Sequence, residues 1–252
     1  MSELASDAIL AVLVIFCRIG GCLVVVPGFA TPRIPMQIRL FVAIAVTLVL
    51  SPILMPVVKE AGPGTSLAVL LPLMISESIV GLMIGLMARA FFAALQFFAS
   101  AVAMFVGVGG MLGTPVDEND PAPPLAVLIT TTATVMVFLT DRHWELFSAL
   151  LDSYTAIPMQ EAGGDMRGRL VPLVDSLSTS FYLCLQVASP FLVYSLLVNL
   201  MFGIANRLVQ QIPVYFVSMP FVIAGGFVLL YFTIAEFISI FMLGYARLLS
   251  GG

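Results

Sequence analysis

LAVLLPLMISESIVGLMIGLMA, residues 67–88, is the stretch of sequence that decides the fold. It is longer than the roughly 20 apolar residues that a helix needs to cross the hydrocarbon core of a membrane, and its one charged residue is Glu77. The segment therefore predicts a transmembrane helix. Gly81 and Gly85 stand four residues apart in it, a GxxxG spacing that lets another helix approach closely. Because glycine is common in membrane helices, a chance spacing remains the alternative.

The composition extends this prediction to the whole chain. Of its 252 residues, 61% are hydrophobic and 10% are charged, whereas about a quarter of the residues of a soluble domain are charged. A chain of this size could not hide so much apolar surface from water. No polar stretch is long enough to fold by itself. We therefore expect an all-α polytopic membrane protein that forms a single integral membrane domain over residues 1–252.

The remaining apolar segments predict about six kinked hydrophobic helices or helical hairpins. Pro52, Pro56 and Lys59 are expected to close the second span, because proline breaks the hydrogen bonding of a helix. Arg89 is expected to separate the third span from the apolar run that follows it, and Pro220 to interrupt the last span. The predicted spans are 8–26, 40–58, 67–88, 90–106, 177–202 and 214–243, with 125–157 as a helical hairpin that only partly enters the membrane.

The stretch GVGGMLGTPVDENDPAPP, residues 107–124, is the least ordinary part of the chain. Its first half is glycine-rich but apolar, and its second half is acidic and proline-rich. Glycine at this density is unfavourable inside a helix. An apolar loop that faced lipid could not satisfy its backbone hydrogen bonds. We therefore expect this loop to be buried in protein or to line an aqueous path.

Four charged residues lie within apolar segments, namely Arg18, Glu77, Arg89 and Glu236. A charge inside a membrane is costly unless it is paired or hydrated, so each of them is a candidate functional residue. One interpretation is a proton or ion relay. The other is structural pairing, within the chain or across a subunit interface. Pairing is favoured, because no second carboxylate follows within these helices at a spacing of three or four residues.

Several other functions are disfavoured by the sequence. A net charge of −4 and scattered basic residues argue against binding to nucleic acid. The chain has no nucleotide-binding glycine motif followed by lysine, no HExxH or paired-cysteine metal spacing, and a single histidine. We therefore expect no enzyme activity, no cofactor and no metal site. Cys17, Cys22 and Cys184 lie in apolar segments and are expected to serve as small buried hydrophobic residues.

Five stretches of the sequence carry a family resemblance. They are RIG (18–20), PRIPMQIR (32–39), SESIVGLMIGL (76–86), HWELFSALLDSYTAIP (143–158) and NLMFGIANRLVQQIPVYFVSMP (199–220). Together they span nearly the whole chain and, taken in order, resemble the FliR family of flagellar export-gate membrane proteins.

This resemblance implies a structural and gating subunit of the type III protein export apparatus, in the bacterial inner membrane at the flagellar basal body. The expected partners are lipid, FliP-like and FliQ-like subunits that form the export pore with this chain, an FlhB-like subunit, and the unfolded flagellar proteins that are exported. The charges expected inside the membrane or at subunit interfaces are Arg18, Glu77, Arg89, Arg207 and Glu236.

The resemblance also implies that a loop of this chain helps to plug the pore. By position, its counterpart runs from about Gly107 to Asp117. Aromatic residues are common in the plug of the family, whereas this loop has none. The residues expected to plug or gate the pore are Gly107, Gly109, Gly110, Met111, Leu112, Gly113 and Pro115.

Two other functions stay open at this point. One is the homologous subunit of a virulence type III secretion system. The other is an ion-coupled secondary transporter that uses Glu77 and Glu236. Such transporters commonly contain internal repeats with matching broken helices, and the two halves of this sequence show no convincing similarity.

Overall fold

The computed structural model describes residues 2–30, 34–60, 67–109, 122–158, 166–208 and 214–249. Over these residues the chain forms seven α-helices and no β-strand. The helices are α1 (Ser2–Val25), α2 (Met36–Glu60), α3 (Leu67–Phe105), α4 (Pro124–Leu139), α5 (His143–Ala156), α6 (Met166–Leu208) and α7 (Val214–Leu249).

Five of these helices, α1, α2, α3, α6 and α7, are long and apolar enough to cross a membrane. The helices α4 and α5 are separated by a short break, and together they count as a sixth candidate span. At this break Asp141 has a positive φ of 57°. The prediction of an all-α polytopic membrane protein with about six hydrophobic helices is confirmed.

The third helix is longer than predicted. The predicted break at Arg89 is wrong, because α3 is a single helix of 39 residues that continues through it. Arginine is a good helix former and leaves the backbone hydrogen bonds intact, and the side chain of Arg89 is exposed on the helix surface. At 1.5 Å per residue α3 is about 58 Å long, nearly twice the thickness of a hydrocarbon core.

The prolines also fail to end the helices that contain them. Helix α2 passes Pro52 and Pro56 and ends at Glu60, and α7 passes Pro220. The prediction that Pro52 and Pro56 help to close the second span is therefore wrong, whereas Lys59, also predicted to close it, lies one residue before the end of the helix. A proline removes only its own N–H donor, and neighbouring groups in a membrane helix compensate for the carbonyl that is left without a partner.

The described residues pack into two compact units, and each has its own core. The first unit contains α1, α2, α5, the part of α3 up to Ala90, the part of α6 up to Leu177 and the part of α7 from Ala246. The second unit contains α4 and the remaining parts of the three long helices: α3 from Phe91, α6 from Ser178 and α7 up to Tyr245. The prediction of a single domain over residues 1–252 stays a prediction.

A four-residue repeat of apolar side chains builds the core between α1 and α2 in the first unit. Side chains that recur every four residues lie on one face of a helix, so two such faces can pack along their length. The buried repeats are Ile15, Ile19 and Leu23 on α1 and Leu50, Leu54 and Val58 on α2.

Glycines bring α1 and α3 into direct backbone contact. A Cβ atom added to Gly85 would stand 2.6 Å from the carbonyl oxygen of Cys22, and one added to Gly21 would stand 2.6 Å from that of Ser78. At Gly81 an added Cβ would collide with the carbonyl group of Arg18. The GxxxG spacing therefore serves close approach, as one of the two interpretations of the sequence predicted, and the second helix is α1.

Aromatic rings fill the core of the second unit. The ring centroids of Phe91 on α3 and Phe241 on α7 are 4.7 Å apart, and Phe92 meets Tyr245 edge-on at 5.9 Å. Such pairs stabilise a packed core beyond the area that they bury. Cys184 is buried in the second unit and Cys22 in the first, as the sequence predicted, whereas Cys17 is partly exposed; all three are free thiols.

Replacing Gly81 by alanine tests the contact between α1 and α3. The added methyl group would collide with the backbone at Arg18, which cannot yield as a flexible side chain could. We expect Gly81→Ala to lower the free energy of unfolding in detergent by about 1–3 kcal/mol, which is the cost of overpacking with backbone displacement.

Gly203→Ala on α6 is the matched control, because an added Cβ there meets no atom within 4 Å. This variant is expected to gain up to about 1 kcal/mol, since alanine favours a helix more than glycine does. Equal stabilities of the two variants would contradict the close packing of α1 against α3.

Candidate functional site

A buried ion pair lies at the centre of the first unit. The Nε atom of Arg18 donates a hydrogen bond of 2.6 Å to Oε2 of Glu77, and Nη2 donates one of 2.8 Å to Oε1. Both side chains are fully buried. The guanidinium and the carboxylate thus meet through two nearly parallel bonds, the strongest arrangement available to this pair.

The helix α5 completes the surroundings of the guanidinium. Nη1 of Arg18 donates to the hydroxyl of Ser153 at 3.1 Å, and Nη2 donates to the carbonyl oxygen of Ile157 at 3.2 Å. The Cζ atom of Arg18 lies 3.9 Å from the centre of the Tyr154 ring, a cation–π contact. A single arginine on α1 therefore binds α3 through Glu77 and the end of α5 through three residues.

This arrangement favours a structural role for Arg18 and Glu77. Both oxygens of the Glu77 carboxylate are engaged by Arg18, and no second carboxylate is recorded against the pair in the described part of the chain. A relay would need a partner that accepts and passes on a proton or a cation. In this pair each buried charge neutralises the other, and neither side chain could stay charged in the interior alone.

The other three candidate charges lie elsewhere. Arg89 on α3, Arg207 at the end of α6 and Glu236 on α7 all have exposed side chains. Glu77 belongs to the first unit and Glu236 to the second. The role of Arg89, Arg207 and Glu236 as charges inside the membrane or at subunit interfaces stays a prediction.

The glycine loop begins from a defined helix cap in the second unit. The N–H of Gly107 donates to the carbonyl of Met104 at 3.0 Å, and the N–H of Val108 donates to that of Ala103 at 3.0 Å. These two bonds form a Schellman motif, in which the residue after the helix takes a left-handed conformation. Gly107 has a φ of 89°, which glycine adopts without strain.

A second glycine keeps the start of the loop against the end of α3. A Cβ atom added to Gly109 would stand 2.7 Å from Cγ of Met104. Gly107 is therefore required by backbone conformation and Gly109 by space. The predicted gating residues Gly110, Met111, Leu112, Gly113 and Pro115 lie outside the described residues.

Two further glycines place α7 against this cap. An added Cβ at Gly226 would stand 2.6 Å from Cγ1 of Val106, the residue before Gly107. At Gly225 it would stand 2.6 Å from the hydroxyl oxygen of Tyr194 on α6, which donates a 2.6 Å hydrogen bond to the carbonyl of Val222. The end of α3 and the side chain of Tyr194 thus both pack on the glycine pair of α7.

Sequence reasoning missed Ser153, Tyr154 and Tyr194. A signal for the first two existed, because a buried guanidinium has five N–H donors and one carboxylate cannot satisfy them all. Further acceptors had to come from another helix. No sequence signal pointed to Tyr194, because its partner is a backbone carbonyl.

No metal-binding cluster stands out in the part of the chain that the structure describes. Within those residues no group of three or more His, Cys, Asp or Glu side chains could hold a metal ion.

The family model of bacterial export proteins, family 1, matches residues 9–247. The chain belongs to this family. The chain is similar to the flagellar biosynthetic protein FliR of Caulobacter vibrioides, with 28% identity over 236 residues that cover 93% of this chain and 92% of the relative. FliR of Bacillus subtilis is 27% identical, with 89% of this chain and 86% of the relative covered.

FliR of Escherichia coli is more distant, at 21% identity over 83% of this chain and 78% of the relative. The resemblance to the FliR family is confirmed by these matches. With its apolar helices, this member of the bacterial export proteins is a multi-pass membrane protein.

The buried pair offers a test by single and double substitution. Arg18→Met leaves the carboxylate of Glu77 buried without a partner, and Glu77→Leu leaves the guanidinium in the same state. Each is expected to lower the free energy of unfolding by about 3–5 kcal/mol, whereas the double variant recovers most of this loss because no charge stays buried. Equilibrium unfolding in mixed detergent micelles measures the three variants. Additive losses in the double variant would contradict the pairing.

Proposed function

We propose that this chain is a structural and gating subunit of the flagellar type III protein export apparatus in the bacterial inner membrane. In this proposal it forms part of the export pore with FliP-like and FliQ-like subunits and lies beside an FlhB-like subunit. The family match over residues 9–247 supports it, as do relatives that carry the name flagellar biosynthetic protein FliR.

The exposed apolar surface of the last two helices supports an assembly. Only 11% of the residues in the apolar stretches of α6 and of α7 are buried within the chain, against 44% in that of α1. Helix α6 has 43 residues and is about 65 Å long, roughly twice the thickness of the hydrocarbon core. An apolar helix of this length fits a position where partner chains as well as lipid cover it.

The observation that carries the gating role is the capped end of α3. The cap at Gly107 packs against Gly226 of α7, so the loop starts from a fixed position. Beyond it, the sequence combines glycines with the apolar residues Met111 and Leu112. Glycine permits many backbone conformations, and methionine fills irregular gaps while it still yields.

In this mechanism the loop closes the pore by apolar contact and moves aside for an unfolded chain. Contacts without directional bonds suit a seal that must open for substrates of varied sequence. The buried pair of Arg18 and Glu77 keeps the surrounding helices in place while the loop moves.

Partner capture tests the assembly. We expect the full chain, purified in mild detergent from cells that express the flagellar export genes, to co-purify with small polytopic membrane proteins, because its exposed apolar faces would be covered in the complex. Mass analysis identifies these proteins. A lone monomer in such a preparation would count against the proposal.

Deletion of residues 109–113 tests the gate. Because the residues before the loop keep their packing, we expect assembly to stay intact while the membrane becomes leaky to ions or small solutes. Ion flux into vesicles that contain the complex measures the leak. The matched control removes the five residues 160–164 from another glycine-containing connection and is expected to leave the membrane tight. A tight membrane after both deletions, with partners still bound, would refute the gating role and leave the assembly role standing.

A further inference from the structure

A row of four polar side chains lies on one face of α6 in the second unit. Their intervals of three or four residues place them on the same side of the helix. They are Thr179, Tyr182, Gln186 and Ser189, and all four are exposed. The row is about 15 Å long at 1.5 Å per residue. It lies within the apolar stretch Val174–Leu208, a candidate membrane span, where lipid would offer these groups no hydrogen bonds.

The row has hydrogen-bonding groups to spare. The hydroxyl of Ser189 donates a bond of 2.7 Å to the backbone carbonyl of Gln186, whose usual helical donor is missing because residue 190 is proline. The side chains of Thr179, Tyr182 and Gln186 make no hydrogen bond to another described residue. Two hydroxyl groups and one amide are therefore available to another chain.

A carboxylate on α7 lies at the depth of this row. Gln186 and Glu236 directly precede Val187 and Phe237, which line one small cavity between α6 and α7. Glu236 is exposed within the candidate span Ser218–Leu249 and pairs with no cation among the described residues. A carboxylate in an apolar span needs a cation or water beside it.

The row of α6 is turned away from α3. The rings of Phe181 and Phe97 of α3 are 5.9 Å apart, and Val187 lines the cavity towards α7. Successive helical residues are rotated by about 100°, so Val187 lies about 120° round the helix from Phe181, and Gln186 about 100° farther in the same sense. The row therefore lies beside α7, on the side away from α3.

Glu236 lies on the corresponding side of α7. Tyr245 contacts Phe92 of α3 at 5.9 Å. Gly244 faces α6, since an added Cβ there would stand 2.8 Å from Cδ1 of Leu183. Gly244 lies about 100° round the helix from Tyr245, and Glu236 about 80° farther in the same sense. Glu236 and the row of α6 thus share one face of the α6–α7 pair, which we call the polar face.

Apolar side chains border the polar face on both helices. Leu185 and Leu192 on α6 and Phe232 and Leu243 on α7 are all exposed. A narrow polar row with apolar borders has the width of one packed helix. A water-filled path would need a broader polar wall, and lipid by itself would leave the carboxylate and the amide without partners.

We propose that the polar face binds a membrane helix of a partner subunit. This helix brings hydrogen-bonding side chains to the row of α6 and a lysine or arginine to Glu236. Polar side chains form such bonds between membrane helices, and an ion pair lets both charges stay buried. The inference rests on the proposed function, because it names the surface through which the chain binds a neighbouring subunit.

Native mass spectrometry of the full chain in its membrane complex tests the polar face. It measures how much of the partner is retained as the detergent concentration rises. Gln186→Leu and Tyr182→Phe are each expected to weaken retention about threefold, the average effect of one hydrogen bond between membrane helices. Glu236→Gln is expected to weaken it about thirtyfold, because the cation of the partner is left unpaired.

Two variants on other faces of the same helices are matched controls. Tyr231 is as exposed as Tyr182, at 77% and 68%, but lies about 140° from Glu236 around α7. Asn199 lies about 140° from Gln186 around α6, and its amide bonds to its own helix. Tyr231→Phe and Asn199→Leu are expected to retain the partner as the wild type does.

Photocrosslinking identifies the occupant without a loss of binding. With p-benzoylphenylalanine in place of Tyr182, we expect a crosslink to an apolar segment of another subunit that carries a lysine or arginine within two turns. The same group in place of Tyr231 is not expected to reach that segment. Glu236→Lys, combined with the change of the partner's cation to glutamate, is expected to restore retention.

Four results would overturn the proposal. They are retention in Gln186→Leu, Tyr182→Phe and Glu236→Gln equal to that of the controls, and a crosslink from position 182 to lipid alone, to an exported chain or to a second copy of this chain. If the wild type keeps its partners in these cases, the proposed function stands without the polar face. A wild type that binds no membrane partner would overturn both.

Discussion

The first unit depends on one interaction, the fully buried ion pair between Arg18 and Glu77. Neither group could remain charged there alone, because the desolvation of a single ion exceeds what the surrounding apolar contacts return. The two meet because Gly21, Gly81 and Gly85 allow the backbones of α1 and α3 to touch. The guanidinium donates its other hydrogen bonds to Ser153 and Ile157 at the end of α5. A charge that would be costly in lipid therefore connects three helices.

Helix α3 contributes residues to both units. Its first half carries Glu77 and the glycines that contact α1, and its last turn is closed by the cap at Gly107. The loop that we propose as a plug therefore starts from a helix end next to which Val106 packs against Gly226 of α7.

The sequence predicted the fold class well, because composition and periodicity determine it. It predicted poorly where one helix ends and the next begins. Arg89 and the prolines at 52 and 56 looked like ends of spans, yet α3 and α2 pass through them. A charge or a proline in a hydropathy pattern marks a local cost, but it does not by itself say whether the helix ends there. Likewise, the glycines after Phe105 predicted an unusual loop, but the pattern did not distinguish Gly107, needed for its positive φ, from Gly109, needed for space.

The sequence by itself determined the all-helical membrane class, the close-approach spacing in α3, and the family, through motifs that occur in order along the chain. These properties follow from the local composition and spacing of residues, which do not depend on the tertiary contacts of the chain. Only the tertiary structure decided that Arg18 binds Glu77, Ser153 and Ile157, that Tyr154 covers the guanidinium, and that Tyr194 packs on the glycines of α7. These contacts join residues far apart in the chain, and their partners include backbone carbonyls that every residue possesses. Helix packing determines which of these many equivalent carbonyl groups accepts the hydrogen bond, and no local sequence pattern predicts that choice.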